Sequence, residues 1–142
     1  MKNSKFWIAV AASGVIMNIV DFLLQGMVMV PVYYAKHADI FIQTTDPMWF
    51  VVGDFITVFV LAWVYLKVSG SFSGGWKGGA TYGLYAGILV NFPTWIFLHL
   101  MLKGYSYKFA WFSTIYGIAW TVIAGAIVAS IYEKNTSAPA GS

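Results

Sequence analysis

The sequence contains no cysteine and no arginine, and charged residues occupy only 9% of its 142 positions. The lack of cysteine excludes disulfide bonds, thiolate chemistry and cysteine-ligated metals. Without arginine, no side chain can hold a phosphate or a carboxylate through a planar two-pronged contact. The eight lysines are scattered and form no basic stripe, so nucleic acid is not an expected partner.

Apolar residues make up 60% of the chain, and the mean hydropathy is +0.74. Ordinary soluble domains contain roughly 45–50% apolar residues and about 25% charged residues. A water-soluble domain of this length could not bury so much apolar surface. We therefore expect the lipid bilayer to be the solvent and partner of most of the chain.

Four continuous apolar stretches are each long enough to cross a hydrocarbon core, which requires about 20 helical residues. A spanning segment must satisfy its own backbone hydrogen bonds, and a helix does so. The sequence thus predicts an all-α, integral membrane four-helix bundle over residues 1–134, with a disordered cytoplasmic tail over 135–142. The predicted spans cover residues 6–32, 48–68, 78–102 and 107–132.

The lysines near the span ends predict the orientation, because positive charge is favoured in cytoplasmic loops. If the N-terminus is cytoplasmic, five lysines lie inside and three lie outside. The inner set is Lys2, Lys5, Lys67, Lys77 and Lys134, and the outer set is Lys36, Lys103 and Lys108. This distribution favours an orientation with both termini inside, and we expect the membrane to be a bacterial cytoplasmic (inner) membrane.

A shift of 62 residues superimposes several uncommon residues on one another. Pro31 falls on Pro93, His37 falls on His99, and Trp49-Phe50 falls on Trp111-Phe112. Each repeat would contain two spans, so the two units would be parallel repeats. The alternative is that the matches are coincidental, because aliphatic matches are common in so apolar a chain.

Glycines recur every four residues along span three and the turn before it. This spacing places them on one helix face, where a neighbouring backbone can approach closely. The stripe is Gly75, Gly79, Gly83 and Gly87, and span four offers Gly117, Thr121, Gly125 and Ala129. We expect spans three and four to pack tightly with span one against them. The alternative is a dimer interface.

Five polar side chains lie within the predicted spans and are expected to converge in the outer half of the bundle. Span one carries three on one face, and spans two and three carry one each: Asn18, Asp21, Gln25, Asp54 and Asn91. Inserting an Asp at the centre of a membrane helix costs about 2.5–3.5 kcal/mol on insertion scales. Such a residue is therefore expected to have a structural or functional role. The group predicts either a proton- or ligand-binding site or interhelical hydrogen bonding.

The two histidines, His37 and His99, are predicted at similar depth near the outer interface. A pair of imidazoles related by a pseudo-twofold axis can ligate haem, a pigment or a metal. The simpler alternative is that both are interfacial side chains without a ligand. No metal-binding motif is recognisable elsewhere in the sequence.

Several short motifs resemble a group of small bacterial four-helix membrane proteins. They include Asn18-Ile-Val-Asp21 followed by Gly26, and Val64-Tyr65 at the end of span two. The glycine-rich turn into span three and the ending Gly125-Ala126…Ile131-Tyr132 also fit. This group has no assigned activity, so the resemblance implies the topology and no function.

Three functions are compatible with these features, and none of them is enzymatic, because no recognisable nucleophile or metal centre is present. The first is an accessory or scaffold subunit of a larger membrane complex, or a homo-oligomer, indicated by the small loops and many glycines. The second is a small proton-coupled transporter that uses Asp21 and Asp54. The third is a haem- or pigment-binding protein that uses His37 and His99.

Overall fold

The structure is a computed structural model that describes residues 2–41 and 46–133. The described residues form helices and connecting segments and contain no strand. Four of the helical segments are long and apolar enough to cross a membrane: Ser4–Lys36, Met48–Ser71, Gly75–Met101 and Tyr107–Glu133. The predicted tail at 135–142 and the inner lysine Lys134 lie outside the described residues.

The first span begins as helix α1 over Lys2–Asp21 and then changes its winding. A π-helical stretch follows over Phe22–Met29, in which Val30 N–H donates to the carbonyl oxygen of Gln25, five residues earlier. The chain continues through a short α-helical turn, Val30–Val32, and a 3₁₀ turn, Tyr34–Lys36. The helical path therefore continues past Pro31.

Helix α2 covers Met48–Val68, the same residues as the predicted second span. The Asp46 carboxylate accepts a hydrogen bond from Met48 N–H at 2.9 Å, which satisfies one of the free donors at the start of the helix. A short 3₁₀ turn, Ser69–Ser71, then leads towards the third helix.

Helices α3 and α4 cover Gly75–Met101 and Tyr107–Glu133. Helix α3 begins three residues before the predicted span, at Gly75, whose φ of +74° is unfavourable for any residue with a side chain. Gly75 thus starts the helix and lies outside the stripe of packing glycines that the sequence predicted, because a Cβ there would meet nothing. Helix α3 also continues as an α-helix through Pro93.

The closest contact in the bundle is between α3 and α4, the pair to which the glycine stripe pointed. A Cβ at Gly79 would overlap the carbonyl oxygen of Gly125, and one at Gly83 would overlap that of Thr121. Gly87 faces the Thr121 hydroxyl in the same way. Only glycine permits this backbone-to-backbone approach, and all three glycines are buried within the chain.

Helix α1 packs against α2 and α4, whereas the sequence placed it against spans three and four. The contact with α2 uses Gly14, where a Cβ would overlap the ring of Phe55. One core cluster joins α1, α2, α3 and α4 around Met17, Val58, Tyr65 and Trp120. A second, aromatic cluster around Tyr105 and Phe109 fills the predicted outer end.

Large apolar side chains also cover the outside of the bundle. Leu89, Leu100 and Met101 are each more than 70% exposed, and many aromatic rings are exposed as well. Such a surface would be unstable in water, but it matches acyl chains. Together with the four long apolar helices, it indicates a multi-pass membrane protein.

Candidate functional site

The carboxyl groups of Asp21 and Asp54 lie side by side, close enough to share a hydrogen bond if one of them is protonated. Asp21 is the last residue of α1, immediately before the π-helical stretch, and Asp54 lies about two turns into α2. The Asp21 Oδ1 atom is buried and has no hydrogen-bond partner. The structure thus brings together the two acids that the sequence predicted to converge.

The indole of Trp120 from α4 completes this group, and sequence reasoning did not find it. Trp120 is only 7% exposed, and its buried Nε1–H group lies within hydrogen-bonding reach of the Asp21 carboxyl. The Asp21 carboxyl is the acidic group that this indole approaches. One feature of the sequence could have indicated a special role for Trp120. Trp favours the membrane interfaces, whereas Trp120 lies near the middle of its span.

Gln25 and Tyr34 lie on the outer side of the acid pair. The Tyr34 hydroxyl donates to Gln25 Oε1 at 2.7 Å. The Tyr34 phenol also lies close enough to Asp21 for an electrostatic interaction with its carboxylate. Gln25 is located in the π-helical stretch, so this bond ties that stretch to the segment after Pro31. π-Helical turns are rare and occur frequently at functional sites.

Asn18 and Asn91, the other two residues of the predicted group, make their hydrogen bonds within their own helices. The Asn18 amide donates to the carbonyl of Gly14 at 2.9 Å, four residues earlier on its own helix. The Asn91 amide donates to the carbonyl of Gly87 at 3.1 Å and accepts from the Trp95 indole at 3.3 Å. Asn91 also packs against Gly117, where a Cβ would overlap its side-chain oxygen.

The two histidines have different surroundings. His37 Nδ1 lies 2.9 Å from the carbonyl oxygen of Tyr33, and the two rings stack at 4.2 Å. His99 Nδ1 lies 2.6 Å from the carbonyl oxygen of Tyr105, with its ring against the edge of Tyr107. The described residues also contain no group of three or more His, Asp or Glu that could hold a metal. The geometry therefore gives no support to a cofactor shared by these imidazoles.

A carboxyl at the opposite end of the bundle joins three helices, which no sequence pattern predicted. The Tyr65 hydroxyl donates to Glu133 Oε1 at 2.5 Å, and Gly75 N–H donates to Glu133 Oε2. The last residue of α4 thus holds the inner part of α2 and the start of α3. We interpret this contact as structural.

The groups found to act on the Asp21 carboxyl include no positive charge. Among the described residues, the groups that act on the Asp21 carboxyl are Asp54 and Trp120, and neither is a cation. Two acids without a counter-ion form an arrangement suited to binding a proton.

Comparison of the chain with protein-family models, with curated proteins and with solved structures found no match in any of the three.

Proposed function

We propose that this protein is a small proton-coupled transporter in which Asp21 and Asp54 bind the transported proton between them. The single observation that supports this proposal is the side-by-side placement of two half-buried carboxyls from α1 and α2. Acidic residues within membrane spans are rare, and they commonly mark proton or ion pathways.

The chemistry follows from the cost of charge in hydrocarbon. Two negative charges in contact repel each other strongly, whereas a protonated carboxyl can donate a hydrogen bond to an ionised one. The pair can therefore exist in states that differ by one proton and in the geometry of one interhelical contact. A change in the α1–α2 contact on proton binding is the coupling that a transporter requires.

The path that the proton takes is proposed to require two copies of the chain. Four helices seldom enclose a polar path, and the groove between α1 and α2 faces outward and is apolar. This groove has a volume of about 450 Å³ and is lined by Trp7, Val10, Ala11, Val51, Val52, Phe55, Ile56 and Phe59. A second copy seated at α1 and α2 would place both acid pairs near one interface.

The test is proton flux into liposomes that contain the purified protein, driven by a potassium diffusion potential and followed with an internal pH dye. We expect the wild-type protein to acidify the lumen and Asp21→Asn to reduce the rate by at least about tenfold. The matched control is Asp39→Asn, because Asp39 is an exposed acid beyond the first span. A wild-type rate equal to that of empty liposomes, or equal rates for wild type and Asp21→Asn, would overturn the proposal.

The apolar groove between α1 and α2 also favours a second candidate function, that of an accessory or scaffold subunit. Its apolar lining and the open position of Gly53, where a Cβ would meet nothing, offer a surface for a helix of another membrane protein. Affinity purification from native membranes in mild detergent would test this candidate. A constant partner that is lost on Ala11→Trp would support it, and a chain that always purifies alone would refute it.

A further inference from the structure

The first span changes its backbone hydrogen-bond pattern at a proline. At the end of the π-helical stretch, Val30 N–H donates to the carbonyl oxygen of Gln25, five residues earlier. Tyr33 N–H donates to the carbonyl oxygen of Met29 at 2.9 Å, four residues earlier, as in an α-helix. Pro31 lies between these two donors and has no N–H, so the winding changes where the backbone lacks a hydrogen bond.

A proline does not by itself impose this winding. Pro93 lies inside α3, which stays α-helical through it. Near this proline α3 is packed closely on α4: Asn91 lies against Gly117, and the rings of Phe92 and Trp111 meet edge to face at 5.9 Å. The packing around a helix therefore contributes to its winding.

The π-helical stretch has little protein packed around it. Of the eight residues described in it, only Met29 is buried, whereas Phe22, Leu23 and Met27 are each more than half exposed. In a bilayer these side chains meet acyl chains rather than a packed helix. Both π and α winding satisfy the backbone hydrogen bonds within the span, as the membrane interior requires.

The first span is fixed on both sides of this stretch. Before it, Met17 is fully buried in the core cluster. After it, the Tyr33 ring stacks on Phe109 at 4.2 Å, and the Tyr33 hydroxyl lies 3.0 Å from Ser106 Oγ. A π-helical bond encloses one residue more than an α-helical bond, so the stretch holds one extra residue between the fixed points. That extra residue can change its place along the span but cannot disappear.

We propose that the π winding shifts inward by about one turn, so that Asp21 comes to lie within it, and that this shift turns the Asp21 carboxyl away from Asp54. The inward direction follows from the contacts, because Pro31 and the stacked Tyr33 hold the outer side. One extra residue rotates the backbone by up to about 100° around the helix axis, given 3.6 residues per turn. The inference rests on the proposed function, for which it supplies the movement between α1 and α2.

The turn that would receive the π winding is only partly packed. Ile19 is 54% exposed, and Asn18 and Val20 are half-buried. The Asn18 amide donates to the carbonyl oxygen of Gly14, so this carbonyl keeps a partner while the backbone bonds beside it change.

The first experiment removes the extra residue. Deletion of Leu23 allows a continuous α-helix to join the fixed points in register, so we expect the variant to fold in lipid with a denaturation midpoint near that of wild type. The matched control is deletion of Tyr85, which is also exposed and also lies eight residues before a proline. It should lose most of the folded protein, because it moves Gly87 out of register with α4. Equal losses in the two deletions would overturn the inference.

The second experiment follows the shift in the full-length chain, which has no cysteine and therefore accepts spin labels at chosen positions. Phe22→Cys and Ile123→Cys place labels at the exposed start of the stretch and at an exposed position of α4. Pulsed electron spin resonance in lipid should give two distances for this pair, and one distance when Leu23 is deleted. Leu100→Cys with Ile123→Cys is the control within α3 and α4 and should give one distance.

A single distance between positions 22 and 123 in the undeleted chain would overturn the inference, whatever the deletions show. Neither experiment measures proton movement, so that result would leave the proposed function to the flux assay. Two distances in a protein whose liposomes show no proton flux would overturn the proposed function and retain the shift of the π winding.

Discussion

The two pairs of consecutive helices are built in opposite ways. Helices α3 and α4 meet through Gly79, Gly83 and Gly125, backbone against backbone, with no room for a side chain. Helices α1 and α2 meet through one glycine and a phenylalanine ring, place two acids between them and leave an apolar groove beside the contact. Close packing makes the first pair a scaffold, and the looser second pair can hold the functional groups.

The predicted repeat sharpens this comparison. A shift of 62 residues places Asp21 on Gly83 and Gln25 on Gly87. The helix face that carries packing glycines in α3 therefore carries polar side chains in the first span. The duplication itself stays a prediction, but the same helix position serves packing in one half and the candidate proton site in the other.

The largest effect is expected from filling the α3–α4 contact. Gly83→Leu would push a side chain into the backbone of Thr121 and Val122, which cannot yield without separating the helices. We expect a loss of about 3 kcal/mol or more in the free energy of unfolding, measured by denaturation in mixed detergent micelles. Gly53→Leu is the matched control, because Gly53 faces open space. Equal losses for the two variants would contradict the scaffold role of α3 and α4.

A smaller effect is expected at the inner end, where Glu133 joins α2, α3 and α4. Tyr65→Phe removes the hydroxyl that donates to Glu133 and leaves a half-buried carboxyl oxygen with one bond fewer. We expect a loss of about 2 kcal/mol in the same denaturation assay. Tyr85→Phe should change little, because the Tyr85 side chain is 61% exposed. If both variants behave like wild type, Glu133 does not stabilise the bundle.

A still smaller effect is expected from the hydrogen bond beside the acid pair. Tyr34→Phe removes the bond to Gln25 within the looser half of the molecule. Hydrogen bonds between membrane helices average about 0.6 kcal/mol, and we expect a loss no larger than that for this bond within the first span. Tyr107→Phe, at an exposed ring, provides the control. A loss as large as that of Gly83→Leu would show that the two halves are equally rigid.

The smallest effect concerns Tyr105, in the connection between α3 and α4, which should have no influence on stability near neutral pH. Burial raises the pKa of Tyr105 to about 12, from 10.0 for an exposed phenol. The stability from keeping this phenol neutral is present below pH 10.0 and is lost as the pH rises towards 12. Alkaline difference absorbance should show late phenolate ionisation whose amplitude Tyr105→Phe reduces. If all tyrosines are already ionised near pH 10, the burial of Tyr105 is contradicted.

Most of the helical architecture was predictable, because bilayer thickness determines how long an apolar run must be. The second span was predicted with the same bounds as α2, and α4 extends only one residue further than predicted. The association of α3 and α4 was also predictable, since glycines four residues apart leave one smooth helix face.

The site was predictable only in part. Depth in the membrane suggested which polar residues would meet, but it could not show that Asn18 and Asn91 each bond to a carbonyl four residues earlier, which any helix offers. The contribution of Trp120 depends on how α4 is rotated against α1, and no local pattern specifies that rotation. The contact of Glu133 with Tyr65 joins residues 68 positions apart and arises only from the bundle.

The account depends most on Asp21 and Asp54 sharing a proton, and a proton count tests this directly. The measurement is the number of protons bound per folded chain as the pH is lowered, for the wild type, Asp21→Asn, Asp54→Asn and the double variant. If the pair binds one proton jointly, the same binding step disappears in both single variants, and the double variant loses nothing more at that step. Independent losses that add in the double variant would show that the two carboxyls bind protons separately.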